Sequence, residues 1–402
     1  MTRADAATYP FPVRCPFTLP DELERLSREE PVAPVRLPTG APAWLVSGHE
    51  QVRTVLADER FSRRPARERA AKPGGGGFDF GLAIADPADH ERWRRLVGQV
   101  LNPRHAESVR PAVRELAGAA VGRLADRGGP VDFMAEFAFR LPLDVLCALY
   151  AVPADLRPAF DAWAAGLRGA AGSMEAFGAA MRTLHDAARE LVARKPADGV
   201  LPALAEVRGP DGDRLSETEL VSTVVLLSIA GYETGAVQFG NGLLALFQHP
   251  DQLARLAAGE VDIAAAVEEV LRYAQAGTGF AGMTYTSADV DLGGTTIPAH
   301  AQVLISLDAA GRDPGRVERP HEFDLARGAA GGHLSFGSGR HYCLGAPLAR
   351  VELQEGFAAL VRGLPGLRAA VRPDEVVMGR TMFSFYPAEL PTTWAFERTD
   401  AR

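Results

Sequence analysis

One ten-residue run carries the densest chemistry in this 402-residue chain: Phe336-Gly337-Ser338-Gly339-Arg340-His341-Tyr342-Cys343-Leu344-Gly345, followed by helical text over 346–361. A single cysteine closes a glycine-rich loop immediately before a helix. Backbone N–H groups at that helix start, with the positive end of its dipole, favour a thiolate over a thiol. The glycines let the backbone approach something flat and bulky, and Phe336 can pack beside the sulfur. A thiolate with room on one side suits an axial ligand to a heme iron, where it pushes electron density toward O–O cleavage. Most lone cysteines are inert buried hydrophobes, and Cys15 and Cys147 keep that reading.

Three further constellations carry weaker signals by themselves. Glu269-Val270-Leu271-Arg272 puts a carboxylate and a guanidinium on one helix face. A surface pair of that kind contributes only ~0.3–0.5 kcal/mol and arises often by chance. Ala230-Gly231-Tyr232-Glu233-Thr234 follows an apolar run over 224–229, which argues against a solvated face. A helical threonine can bond the carbonyl four residues back, here Ala230, and loosen the turn into a groove. His90 and Arg94 lie one helical turn apart, on spacing that an ordinary exposed helix also shows.

The cysteine loop resembles the heme-binding loop of the cytochrome P450 family, Phe-x-x-Gly-x-His/Arg-x-Cys-x-Gly, at every fixed position. The likeness covers nearly the whole chain and is greatest to soluble bacterial members that modify natural products. It implies heme b (iron protoporphyrin IX) ligated by Cys343, with Phe336, Gly337, Gly345 and Ala230 against it. By the same resemblance His90, Arg94 and His341 hold the propionates, and Glu233 and Thr234 relay protons to bound oxygen. Glu269 and Arg272 then form a buried structural ion pair. The family's second Thr or Ser after Thr234 is replaced by Gly235. Its propionate arginine between Arg272 and Arg312 is also missing, so anchoring is weaker here or shifts to Thr284, Tyr285 or another residue. The implied substrate pocket is mainly apolar: Phe78, Ile84, Leu226, Ile229, Ala230, Phe280 and Phe383.

The elements that must position these residues are readable in part. Pro38-Thr39-Gly40 between Val32–Leu37 and Ala43–Ser47 predicts a hairpin. Helical periodicity dominates from about residue 50 to 275, in segments near 89–101, 104–126, 132–151, 174–194 and 216–248, and returns at 345–362. Ser216-x-x-Glu219 is a capping box and His249-Pro250 a stop, which predicts a helix of roughly 48 Å, long enough to cross the molecule. Its Gly240 and Gly242 suit close helix packing, and for Gly231 and Gly235 approach to a ligand competes with that account. Strand text appears at 285–292, 295–298, 303–307, 382–386 and 392–396. The expectation is one domain over 1–402 with a mainly α, α+β fold, its β-rich parts about 31–47, 284–307 and 381–396.

Composition narrows the function classes. The net charge of −8 offers no nucleic-acid-binding balance, and three scattered cysteines make no disulfide framework. The first residues lack a leader's apolar run and Val221–Ala230 is too short for a bilayer, so a cytoplasmic protein without membrane attachment is expected. The resemblance implies a monomeric monooxygenase that hydroxylates or epoxidises a bulky small molecule with O2. Electrons would come from a ferredoxin and its reductase, docking near Arg92, Arg94, Arg95 and Arg104 and near Arg340 and Arg350. Two other readings are oxidative coupling or ring formation on an aromatic or carrier-bound substrate, and a heme-binding protein without turnover.

Overall fold

The computed structural model describes residues 6–12, 17–65, 87–170, 173–275, 284–327, 332–380 and 384–395. Cys15, Phe78, Ile84, Phe280 and Phe383 lie outside them. The chain forms two compact units, each assembled from separated stretches: Met1–Glu91 with Glu268–Cys343, and Arg92–Val267 with Leu344–Arg402.

The first unit is built on a five-stranded sheet. Val32–Arg36 and Pro42–Val46 pair as an antiparallel hairpin, Val32 opposite Val46, with Gly40 at φ +81 in the turn. Pro42–Val46 continues parallel to Gln302–Ile305, which pairs with Thr284–Thr286, and Phe61–Ser62 forms the edge. Side chains alternate between two cores, as the period of a strand requires. Val32, Val46, Val303 and Ile305 pack with Val52 and Val55 of the helix His49–Ala57. Ala33, Val35, Leu45 and Leu304 pack with Leu23 and Leu26 of the helix Asp21–Glu29. The strand text over 285–292 divides into Thr284–Thr286 and Val290–Leu292. Between them Ser287 donates its N–H to the Arg60 carbonyl at 2.8 Å, and Asp289 accepts from the Ala299 N–H at 2.8 Å. Those bonds turn the chain into the hairpin Val290–Leu292 with Thr295–Ile297.

The last turns of the helix Ile263–Tyr273 organise the loops of this unit. Arg272 Nε and Nη2 reach the two oxygens of Glu269 at 2.7 and 2.8 Å, both side chains 2% exposed or less. The remaining guanidinium donors serve the carbonyls of Gly311, Pro320 and Glu322 at 3.2, 2.8 and 3.0 Å. Glu269 also accepts the Asp324 N–H at 2.9 Å and an Arg327 contact at 3.3 Å.

In the second unit the 32-residue helix Glu217–Gln248 packs on Arg140–Leu149, Met174–Arg194 and Ala346–Gly363. Ser216 and Glu219 close a capping box at its start, and His249 caps its end. Among the described residues this helix is long and apolar enough to cross a membrane by length and composition, with 56% of its most apolar window buried inside the protein. The helical text over 132–151 divides into a wide π turn, Met134–Ala138, and the helix Arg140–Leu149. Asp132 starts that turn by accepting the N–H groups of Met134 and Ala135 at 3.0 and 3.2 Å. Ala346–Gly363 lies along Pro103–Arg127, where Glu355 takes Arg110 at 2.9 Å and Arg114 at 2.8 Å. The tail strand is Pro391–Thr393, paired with Val131–Asp132 and Arg368–Ala369, while Phe385–Pro387 pairs with Met378–Arg380.

Breaking the Glu269–Arg272 pair strands a buried charge, so Glu269→Ala should lower the unfolding free energy by about 3–5 kcal/mol. Arg272→Ala should fall at the low end of that range, because Arg327 remains beside Glu269. Urea titration of the two variants checks both values.

Candidate functional site

Backbone geometry shapes the cysteine loop. Gly337 donates its N–H to the Leu334 carbonyl at 2.7 Å, and Cys343 donates its own to the Phe336 carbonyl at 2.9 Å. Between them lies the tight turn Gly339–His341, with Tyr342 N–H on the Gly339 carbonyl at 3.0 Å. Gly337 and Gly339 take φ of +70 and +67, where an L side chain is strained. A Cβ on Gly339 would stand 2.6 Å from the Leu56 carbonyl oxygen, so only glycine fits there. At Gly337 the nearest atom would be 3.9 Å away.

The two described cysteines differ in setting. Cys147 is buried, and that burial pushes its thiol up to about 12, which makes it inert. Cys343 is half-buried, three residues before the helix Ala346–Gly363 and two before its cap residue Gly345. His341 follows from the same loop and meets His90 with ring centroids 4.3 Å apart. Arg94 is half-buried one turn beyond His90 in the helix Pro87–Val100. Among the described residues no three His, Cys, Asp or Glu side chains gather as for a bare metal ion. A lone thiol in a glycine cradle, with two imidazoles together in the same unit, fits a heme instead. Arg312 does not stand in for the missing arginine: it is spent on the carbonyls of Phe17 and Tyr273 at 3.2 and 2.8 Å. Thr284 and Tyr285 are buried.

In the second unit, Ala230 and Thr234 are exposed on a helix otherwise mostly buried there, with Leu226 half-buried one turn before. Thr234 Oγ1 donates to the Ala230 carbonyl at 2.5 Å. Ile229, Tyr232 and Glu233 are buried. Tyr232 Oη accepts from Arg168 at 2.5 Å, and burial pushes its hydroxyl up to about 12. A Cβ on Gly231 would meet Leu146 at 3.5 Å, an ordinary contact, whereas one on Gly235 would meet Pro142 at 3.2 Å and Glu352 Oε1 at 3.3 Å, so close helix packing accounts for Gly235. Gly240 packs likewise on Met134.

Two groups take roles that sequence reading missed. Glu352 is buried with Oε1 lacking a partner, and desolvation raises its carboxyl from 4.5 to about 8. Arg92 is turned into its own unit, on Asp213 at 2.8 Å, on Glu219 and on the Arg214 carbonyl, rather than offered to a partner.

Two outcomes follow for this site. Gly339→Ala should abolish heme incorporation, whereas Gly337→Ala should cost about 1–2 kcal/mol and keep it, as absorbance per protein after purification would show. Glu352 stays protonated in the folded chain up to about pH 8 but ionises near 4.5 once unfolded. Its contribution is therefore intact below 4.5 and lost as pH rises toward 8. Glu352→Gln should gain roughly 1–3 kcal/mol over the parent at pH 8 and little at pH 5, read by denaturant titration.

The cytochrome P450 family model matches residues 263–364. The mycinamicin IV hydroxylase/epoxidase of Micromonospora griseorubida is 37% identical over 98% of this chain and 100% of its own length. The vitamin D(3) 25-hydroxylase of Pseudonocardia autotrophica is 39% identical over 92% of each chain. A solved structure of a variant of the mixed-function P450 MycG in complex with mycinamicin V superposes with a TM-score of 0.88, at 36% identity, over 97% of this chain and 100% of the other. The LnmA hydroxylase of the leinamycin pathway of Streptomyces atroolivaceus gives 0.86 at 32% identity, over 97% and 100%. The chain thus belongs to the cytochrome P450 family and is a heme-dependent, oxygen-incorporating oxidoreductase.

Proposed function

We propose that this enzyme hydroxylates or epoxidises a bulky, mostly apolar natural-product intermediate, using O2 and electrons from a ferredoxin and its reductase. The observation that carries the reading is the exposure of Ala230 and Thr234, one turn apart on a mostly buried helix, in a chain whose relatives include a mycinamicin hydroxylase/epoxidase. In this reading Cys343 would ligate the heme iron, His90, Arg94 and His341 would hold the propionates, and Phe336, Gly337, Gly345 and Ala230 would lie against the group. When bound, the heme supplies oxygen activation.

The chain's own groups would then manage protons and water. Thr234 Oγ1 keeps its proton on the Ala230 carbonyl at rest, leaving oxygen lone pairs to orient a water or a donor on the exposed side. Glu233, buried beside it in sequence, is the nearby acid that restores that proton. Leu226 and Ala230 bound the substrate space with apolar surface, and Ile229 backs them. Phe78, Ile84, Phe280 and Phe383 complete the pocket in this reading. An acidic partner would meet Arg95 and Arg104, both exposed, beside Arg94 in sequence, and would also use Arg340 and Arg350, which flank Cys343 in sequence. The protein acts as a cytoplasmic monomer.

The ferrous–CO complex should show the red-shifted Soret band of a thiolate ligand, lost in Cys343→Ala and kept in Cys147→Ala. Thr234→Ala preserves helix propensity and removes the hydroxyl. It should bind substrate and consume reductant, but release hydrogen peroxide and give product yields lower by roughly tenfold or more. Equal product per reductant in mutant and parent would favour coupling chemistry. No turnover by either protein with any competent donor would favour a heme-binding role.

A further inference from the structure

The helix Ile263–Tyr273 carries two adjacent carboxylates, and only Glu269 is taken up by Arg272. Glu268 Oε2 lies 3.0 Å from His333 Nε2, the side chains 14% and 6% exposed. The other ring nitrogen, Nδ1, accepts the Ser335 N–H at 3.3 Å. A ring nitrogen that accepts carries no proton, so the imidazole proton sits on Nε2 and is donated to Glu268. Ser335 Oγ in turn donates to the Leu271 carbonyl at 2.7 Å, one turn beyond Glu268. Residues 333–335 are thereby tied to one helix at two successive levels. The next residue, Phe336, sits with its ring centroid 6.1 Å from that of His333, and its carbonyl receives the Cys343 N–H at 2.9 Å.

We propose that Glu268 and His333 are positioning residues for the Cys343 sulfur. The carboxylate orients the imidazole, the imidazole fixes the Ser335 amide, and the segment so held presents the Phe336 carbonyl that anchors the cysteine backbone. The chain of contacts acts through Phe336 and touches no reacting atom. The inference rests on Cys343 being the axial ligand.

The test compares His333→Ala, His333→Gln, His333→Asn and Glu268→Gln in the heme-loaded protein, beside Cys343→Ala. The readouts are the ratio of red-shifted to unshifted ferrous–CO Soret bands at equal heme content, and the heme reduction potential. Gln can place a donor near the Nε2 position and so keep the tie to Glu268. Asn can place an acceptor near Nδ1 and keep only the tie to Ser335. Loss of a hydrogen bond to a charged group corresponds to a roughly tenfold or larger fall in that ratio for His333→Ala. His333→Gln should stay within about threefold of the parent and above His333→Asn, because the charge-assisted bond is the stronger. Should His333→Ala yield no folded protein, the order of Gln over Asn, with a shifted potential in Glu268→Gln, decides the matter. Parental band ratios and potentials in all four variants, with only thermal stability reduced, would overturn the proposal, as would Asn equal to or above Gln. If the parent itself lacks the red-shifted band, the ligand assignment fails instead.

Discussion

The first unit depends on one buried ion pair. Removing Glu269 and Arg272 from water is costly, and the pair is tolerable only because every remaining donor and acceptor finds a partner. Those partners are backbone groups spread from Gly311 to Asp324, a stretch containing only short turns. The pair thus substitutes for secondary structure: a guanidinium fork and a carboxylate satisfy carbonyls and amides that no strand or helix covers. The irregular stretch from Gly311 to Asp324 is thereby held to the helix by side-chain hydrogen bonds.

The same helix serves a second purpose with its neighbouring residues. Glu269 and Arg272 hold the chain over 311–324, while Glu268 and the Leu271 carbonyl hold 333–335. The division follows from helical geometry, which sets adjacent residues about 100° apart and makes each pair spaced by three share a face. The five residues from Glu268 to Arg272 therefore hold both 311–324 and 333–335.

Local signals were legible in the sequence where the physics is local. The hairpin at Val32–Val46, the helix Met174–Arg194 and the capping box at Ser216 depend on turn chemistry, periodicity and neighbours three residues apart. The cysteine loop was legible because its glycines and its thiol sit within ten residues. What escaped depends on distant partners. Nothing near Glu268 announces a histidine 65 residues away. The tight contact at Gly235 depends on Pro142 and Glu352, and periodicity names neither. The break between Thr286 and Val290 required an acceptor from Arg60. Arg92 read as part of a basic surface because its acceptors, Asp213 and Glu219, lie more than 120 residues later.

The long helix separates two kinds of position with different tolerance for a change of side chain. Leu226, Ala230 and Thr234 recur every four residues along an accessible stripe. Gly235 and Gly240 are pressed against a neighbouring helix and the π turn. Substitutions at Leu226 and Ala230 can therefore alter that stripe without disturbing the helix contacts at Gly235 and Gly240. Volume and polarity along the stripe are thereby separable from the packing that holds the helix in place.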